Sequence, residues 1–435
     1  MKDRSTGKLG YWPVAAIGIG GMVGGGIFAV LGLSVEMTRG AAPAAFLAAG
    51  LVALATTYAY TRLSVTFPGQ GGTVTFLDQA FGSGFFTGSA NILLWISYIV
   101  MLSLYAYAFG SYGAALFPEG SRLVWKHVLI SAAVLGITGL NLLNAEAIGR
   151  AETWIVAVKI GILLFFIGVG AWRIDASRMA VGGWPPADAI LAGAMIIFLA
   201  YEGFELIANT AGDVRDPERI LPRAYYSAVG FVILLYILVA AVTVGNLPIS
   251  RIVAAKDYAL AEAARPFLGH FGYLLITVAA LLSTLSAINA TLYGAARLSY
   301  TIAKDGELPE ILEHKLWNRP VEGLLITSGA TLLVANFFDL SSISTMGSAG
   351  FLLIFAAVNA ANVRLAGETG SRRWLSAVGV LLCLGALFSL IRYTWQHAPS
   401  HVLVLAVMLG LAVAVEGAYR LWRRGNLLLD RPASD

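Results

Sequence analysis

Residues 12–28 read Trp12-Pro13-Val14-Ala15-Ala16-Ile17-Gly18-Ile19-Gly20-Gly21-Met22-Val23-Gly24-Gly25-Gly26-Ile27-Phe28, and the apolar run they open continues to Met37. About 20 predominantly apolar residues make a helix long enough to cross roughly 30 Å of hydrocarbon, so the run qualifies as a membrane span. Three adjacent glycines in its middle do not belong in a continuous helix, since each costs up to about 1 kcal/mol relative to alanine. Within a bilayer, non-helical backbone survives only where it is buried in protein or lines a cavity. The stretch therefore predicts a span broken at its midpoint. The freed amides at the start of its second half would form an anion site suited to a carboxylate. Close packing of small residues accounts for Gly20 and Gly24 but leaves the glycine triplet unexplained.

A second interruption matches the first. In the sixth apolar run, Phe198-Leu199-Ala200-Tyr201-Glu202-Gly203-Phe204-Glu205 places two carboxyl groups around a glycine. A charge at such depth costs about 2.5–3.5 kcal/mol on insertion scales. Interruptions in spans one and six fit two inverted five-helix repeats with a substrate held between the broken helices near the midplane. A structural reading stays open for Glu205, as a neutral acid or one bonded to a neighbouring helix.

Further out, the candidate spans are 11–37, 43–66, 85–117, 123–143, 152–172, 188–211, 222–246, 268–301, 321–338, 342–363, 373–393 and 400–421. That is about twelve helices of spanning length. The apolar runs are continuous and far exceed the roughly ten-residue alternating segments of a membrane barrel, so the expected class is all-α. Repeat one would cover about 11–172, repeat two about 188–363, and two extra helices 373–421, within a single domain over residues 1–435. The loop 247–267 has room for a short helix.

The whole composition agrees. Of the 435 residues 58% are hydrophobic and 12% charged, with a mean hydropathy of +0.76, against roughly 25% charged in soluble domains. A soluble enzyme or a nucleic-acid binder is excluded. The net charge of +4 comes without any basic run, and the single Cys383 excludes an internal disulfide framework or a cysteine-rich metal site. The basic start, Met1 to Trp12, is followed by an apolar stretch with no small-residue cleavage site, which predicts an uncleaved first span. With the N-terminus inside, 19 Lys and Arg fall on the cytoplasmic side and 9 outside, as the positive-inside rule expects. Both termini are then cytoplasmic, in the cell membrane.

The remaining cation, Lys159, lies inside span five. Desolvation opposes its charge and a nearby carbonyl or carboxylate favours it, which suits a coupling group whose proton comes and goes with conformation. The bland alternative is a charged brace on exposed carbonyls. In span eight Ser283 and Ser286 share a face with Asn289, to line an ion position or simply to bond across the bundle. Trp12, Trp95, Trp125, Trp172, Trp184 and Trp395 are expected near span ends. The five histidines are scattered and form no metal constellation. No nucleophile–base set, P-loop or cofactor fingerprint is visible, so neither an enzyme nor an ATP-driven pump is expected.

These residues resemble the amino acid–polyamine–organocation superfamily, and within it the proton-coupled amino acid transporters, over nearly the whole chain. Besides the two interrupted segments, the resemblance rests on Arg150-Ala151-Glu152 ahead of Lys159. It rests also on Asp213-Val214-Arg215-Asp216-Pro217-Glu218-Arg219 and on Ala303-Lys304-Asp305-Gly306-Glu307-Leu308-Pro309. It implies a LeuT-type fold and a sodium-independent, proton-coupled amino acid transporter working by alternating access, without cofactor, metal, nucleic acid or obligate protein partner. By position, the amides of Gly24, Gly25, Gly26 and Ile27 would hold the substrate carboxylate, and the carbonyls of Leu199, Ala200 and Glu202 its ammonium. Phe204 would be an aromatic gate. Lys159 would stand where other members bind sodium, reaching a carbonyl near Gly20, with Ser283 and Ser286 on the span-eight side. Members often carry an apolar residue where this chain has Glu202. Its side chain would either select an additional positive group, join proton coupling, or sit in the bundle as a neutral acid. An amino acid exchanger and, more remotely, an inorganic-cation transporter using Glu202 are the alternatives.

Overall fold

The computed structural model describes residues 8–143, 146–304 and 321–429. The start of the chain with Lys2 and Arg4, the segment from Asp305 with Lys315 and Arg319, and Arg431 lie outside the described residues, as do the side chains of Arg150, Ala151 and Glu152.

The first run folds as two helices, α1 (Tyr11–Met22) and α2 (Gly26–Thr38), separated at the glycines. There follow α3 (Ala42–Thr66), α4 (Gly72–Phe81), α5 (Phe85–Ala114), α6 (Arg122–Leu143) and α7 (Glu146–Gly170). The sixth run begins as α8 (Ala187–Ile197) and then tightens into a 3₁₀ segment, Phe198–Asp213. At sixteen residues this segment is long, for the 3₁₀ geometry is usually confined to three or four. The chain goes on through α9 (Pro217–Asn246), α10 (Ile249–Ala254), α11 (Ala259–Lys304), α12 (Val321–Phe337), α13 (Leu340–Arg364), α14 (Ala366–Thr369), α15 (Arg373–His397) and α16 (Pro399–Leu429). Among the described residues the only β-type pairing is a bridge between Leu9 and Val214, which ties the N-terminal segment to the end of the 3₁₀ segment.

Ten of the described helical stretches are long and apolar enough to cross a membrane. The difference from twelve has a simple origin. The broken first span leaves halves of 12 and 13 residues, and α2 runs through a short turn into α3. Helix α12, at 17 residues, falls just short of spanning length. The protein is an all-α, multi-pass membrane protein.

Three elements depart from the sequence reading. Helix α7 starts at Glu146, ahead of the expected 152. Lys159 therefore stands roughly 20 Å along it, at a rise of about 1.5 Å per residue. Helix α11 is longer than the expected span and bends at Gly269, where φ is 62° and ψ is -148°. That conformation admits little but glycine. Helix α4 fills a stretch that reads as a plain connection. The short helix anticipated in the loop after α9 is present as α10.

The two broken elements cross in direct backbone contact. A Cβ on Gly21 would lie 2.7 Å from the Gly203 carbonyl oxygen, and one on Gly203 would overlap the Gly21 backbone. Small residues thus allow an approach that no side chain could match. Around this crossing α3, α5, α9, α11 and α13 pack as a largely buried shell.

Candidate functional site

At the first break, α1 ends with the Val23 amide bonded to the Ile19 carbonyl at 2.7 Å. The carbonyls beyond it lose their helical partners and find side chains instead. Ser283 Oγ of α11 donates to Val23 O and Gly24 O at 3.1 and 2.9 Å. Tyr236 of α9 reaches both breaks, its hydroxyl lying 2.6 Å from Met22 O and 3.2 Å from Ala200 O. At the second break Ser348 of α13 accepts from the Leu199 amide (3.2 Å) and donates to Ile196 O (3.1 Å). Three hydroxyls on three surrounding helices therefore satisfy backbone groups that hydrocarbon would leave unpaired.

Lys159 is almost fully buried, and its Nζ donates to Gly20 O at 3.1 Å, one turn before the first break. Packing confines this contact from the side, since a Cβ on Gly20 would stand 2.9 Å from Val156 of α7.

A cavity of about 640 Å³ lies against both broken elements, within the range of small-molecule sites. Trp12 and Pro13 stand at one end, and its wall includes Gly20, Gly21, Tyr105, Glu202, Leu206 and Ala287. Trp12 is 79% exposed whereas Glu202 is 3% exposed, so the cavity runs from the outer end of α1 to the crossing point. Apart from Glu202 the named wall is almost wholly apolar.

The two glutamates occupy unlike positions. Glu205 is gripped from outside its own segment: Tyr60 Oη of α3 donates to Oε2 at 3.1 Å, and Tyr98 Oη of α5 donates to Oε1 in a short bond. Tyr60 is itself bonded to Thr73 of α4 at 2.7 Å. Glu202, one turn earlier on the same 3₁₀ segment, is buried and lines the cavity. Glu205 is thus a bonded internal acid, and Glu202 stands on the cavity wall.

Gly24, Gly25, Gly26 and Ile27 are buried at the break, with Tyr105 laid against Gly24 and Gly25 between them and the cavity. In the first turn of α2 the amides of Gly26, Ile27 and Phe28 have no acceptor within their own helix. The Leu199 amide and the Ala200 carbonyl are engaged by Ser348 and Tyr236. Phe204 is not among the residues lining the cavity; its ring packs 5.4 Å from that of Tyr60 and 5.3 Å from that of Phe355. Ser283 is at the first break; Ser286 is buried one turn further along α11, and Asn289 accepts from Asn141 at 2.8 Å. Trp95, expected at an interface, is buried mid-helix and bonded to Thr327 at 3.0 Å. Tyr105, Tyr236 and Ser348 escaped the sequence reading. A hydroxyl in an otherwise apolar run is the only signal each offers, and many such hydroxyls merely pack.

Two discontinuous helices, crossing backbone to backbone beside a cavity in an all-helical membrane bundle, define a transporter of small molecules. Comparison with known proteins specifies which kind. Residues 9–413 match the amino acid permease family, and the chain belongs to it, within the amino acid–polyamine–organocation superfamily. It is 33% identical to the inner membrane transport protein YbaT of Escherichia coli over 95% of this chain and 97% of that one. It is 36% identical to an uncharacterised protein of Methanocaldococcus jannaschii, over 89% of each chain. A methylthioribose transporter of Bacillus subtilis is 26% identical over 99% and 96% respectively. The function supported is transport of amino acids across a membrane.

Proposed function

We propose that the protein is a sodium-independent, proton-coupled amino acid transporter of the cell membrane, working by alternating access. The observation that carries this reading is the buried ammonium of Lys159 held on Gly20 O beside the first break. A fixed positive charge there makes a bound cation redundant, and loss of its proton would remove the charge from the bond to Gly20 O, weakening it and loosening α1 from α7. The substrate carboxylate would be taken by the amides of Gly24, Gly25, Gly26 and Ile27, and the ammonium by carbonyls of Leu199, Ala200 and Glu202. Since several of those groups are covered by Tyr105 and Tyr236, the reading requires both tyrosines to move when substrate enters.

The domain would consist of repeats 11–172 and 188–363 with two further helices, and both termini would be cytoplasmic. The cavity mouth near Trp12 then faces the cytoplasm, so the conformation is inward-facing. Liposomes containing the protein should accumulate labelled amino acid when the outside is acidic and sodium is absent. Uptake that required sodium and ignored a proton gradient would sink the mechanism, and counterflow without net uptake would make the protein an exchanger.

A further inference from the structure

A second cavity, of about 370 Å³, lies apart from the first between the end of α3 and the start of α9. That end of the bundle also holds the N-terminal segment, because Leu9 pairs with Val214 just ahead of α9. Tyr58, Thr61 and Arg62 line it from α3, at the spacing of one helix face. Glu218 and Tyr226 line it from α9, two turns apart. The Arg372 amide donates to the Tyr58 oxygen at 2.7 Å, which leaves the Tyr58 hydrogen to donate elsewhere. Arg62 stands 5.7 Å from the centre of the Tyr58 ring, and among the described residues no carboxyl pairs with it. Thr61 is 4% exposed, yet its hydroxyl has no hydrogen-bond partner among the described residues. Thr57 and Thr66 of the same helix return theirs to the carbonyl four residues back. An orphaned hydroxyl at such depth costs free energy unless something in the cavity meets it.

We propose that this cavity binds the headgroup of a membrane phospholipid, its phosphodiester on Arg62 and the three hydroxyls, its ammonium on Glu218. A guanidinium fork matches phosphate in shape and charge, and the hydroxyls of Tyr58, Thr61 and Tyr226 can donate to the remaining oxygens. Pockets of this kind between membrane helices are known to take lipid headgroups. The acid on the facing helix disfavours a bare anion and favours a headgroup that brings its own positive charge. Phosphatidylethanolamine has phosphate and ammonium side by side. Its N–H donors suit a carboxylate better than a quaternary ammonium, which has none. The proposal stands apart from the transport reading.

The acyl chains of such a lipid have a place to lie. Along α9 the exposed positions run on from Tyr226 through Gly230, Leu234 and Leu238, one turn apart. Gly230 leaves open space where a side chain would stand. Along α3, Leu47 and Leu51 are exposed on the turns before Tyr58. Both apolar stripes lead from the cavity along the length of the bundle. Trp374, two residues beyond Arg372, is exposed at the cavity's level, as aromatics at a membrane interface are. A water-soluble phosphate ester would have no use for these stripes.

Native mass spectrometry of the purified full-length protein in detergent tests this. The protein is titrated with phosphatidylethanolamine, phosphatidylcholine and phosphatidylglycerol, and separately with glycerophosphoethanolamine and inorganic phosphate. Phosphatidylethanolamine should be retained in preference to the other lipids, and the two water-soluble phosphates should not displace it at equal concentration. Arg62→Gln should weaken its binding about tenfold or more, because the bonds lost are charge-assisted. Arg219→Gln removes the same charge from an exposed side chain outside the cavity wall and should bind as the wild type does. Thr61→Val separates recognition from folding. It deletes a hydroxyl that has no partner in the protein, so the lipid-free unfolding temperature should not fall, whereas the rise produced by added lipid should shrink. Equal retention of the three lipids, or unchanged binding in Arg62→Gln, would overturn the proposal. Displacement by either soluble phosphate would overturn it too, making the cavity a site for a free phosphate ester.

Discussion

Tyr236 is the side chain whose single hydroxyl serves both broken elements, 2.6 Å from Met22 O and 3.2 Å from Ala200 O. Its loss would leave two buried carbonyls to find other donors. A typical net hydrogen bond is worth about 0.5–1.5 kcal/mol and an orphaned buried group costs about 1–3 kcal/mol. Tyr236→Phe should therefore lower stability by about 1–3 kcal/mol, read by thermal unfolding. Wild-type stability in that variant would mean the breaks are held by other contacts. Lys159→Ala makes a different prediction at the same scale. It removes the donor on Gly20 O without touching the break, so the pH dependence of uptake should flatten more than substrate affinity falls. Both residues lie about midway along their helices, yet their legibility differs. A lysine in a run of apolar residues is conspicuous because hydrocarbon penalises its charge. A tyrosine there is not, because its ring suits the same surroundings and only its partner reveals the hydroxyl's use.

At the scale of elements, the glycine break was legible because three glycines in a row contradict a helix that lipid otherwise demands. The pattern could not specify the packing that holds the break open. A Cβ on Gly25 would run into the ring of Tyr105 and lie 2.9 Å from Thr284 Cγ2. Gly25→Ala should accordingly cost about 1–3 kcal/mol of stability, as overpacking does, and Gly25→Ala with Tyr105→Leu should recover part of it. No recovery would place the cost in the backbone rather than in the ring. The 3₁₀ geometry of Phe198–Asp213 was not foreseeable either: a glycine between two glutamates marks an interruption but not the pitch of the segment around it. The bend in α11 belongs here too. Nothing lies within 4 Å of a Cβ on Gly269, so its requirement for glycine comes from the positive φ alone. Pro266 precedes it by three residues, but the apolar run beginning at 268 carries no hint that the helix continues through both.

Across the whole molecule the cavity is open at one end and shut at the other. On the shut side the main chain of Lys256 lies on α2 at Gly32, where any Cβ would overlap its carbonyl. Lys256 Nζ stands 3.3 Å from Glu36, Tyr107 donates to Asp257 at 3.2 Å, and Lys126 donates to the Tyr107 oxygen at 3.1 Å. The contacts of Lys256 and Asp257 exist only while α2, α5 and the segment after α10 are together, so weakening them should favour the opposite-facing state. The protein offers a clean reporter, because its one cysteine, Cys383, is fully buried and should not react. Ala290→Cys, on the cavity wall, should be labelled by a membrane-impermeant thiol reagent from the side of the N-terminus, and substrate should slow it. Glu36 and Lys256 are both partly exposed, so their ion pair is worth only about 0.2–1 kcal/mol. Adding Glu36→Gln should therefore reduce the labelling rate, by at most a factor of about 5. Labelling that is equal from both sides, or unmoved by Glu36→Gln, would detach the closed face from the control of access. A fall of the expected size, with binding retained, would make the contacts at Gly32 and Glu36 the counterweight to the two broken helices.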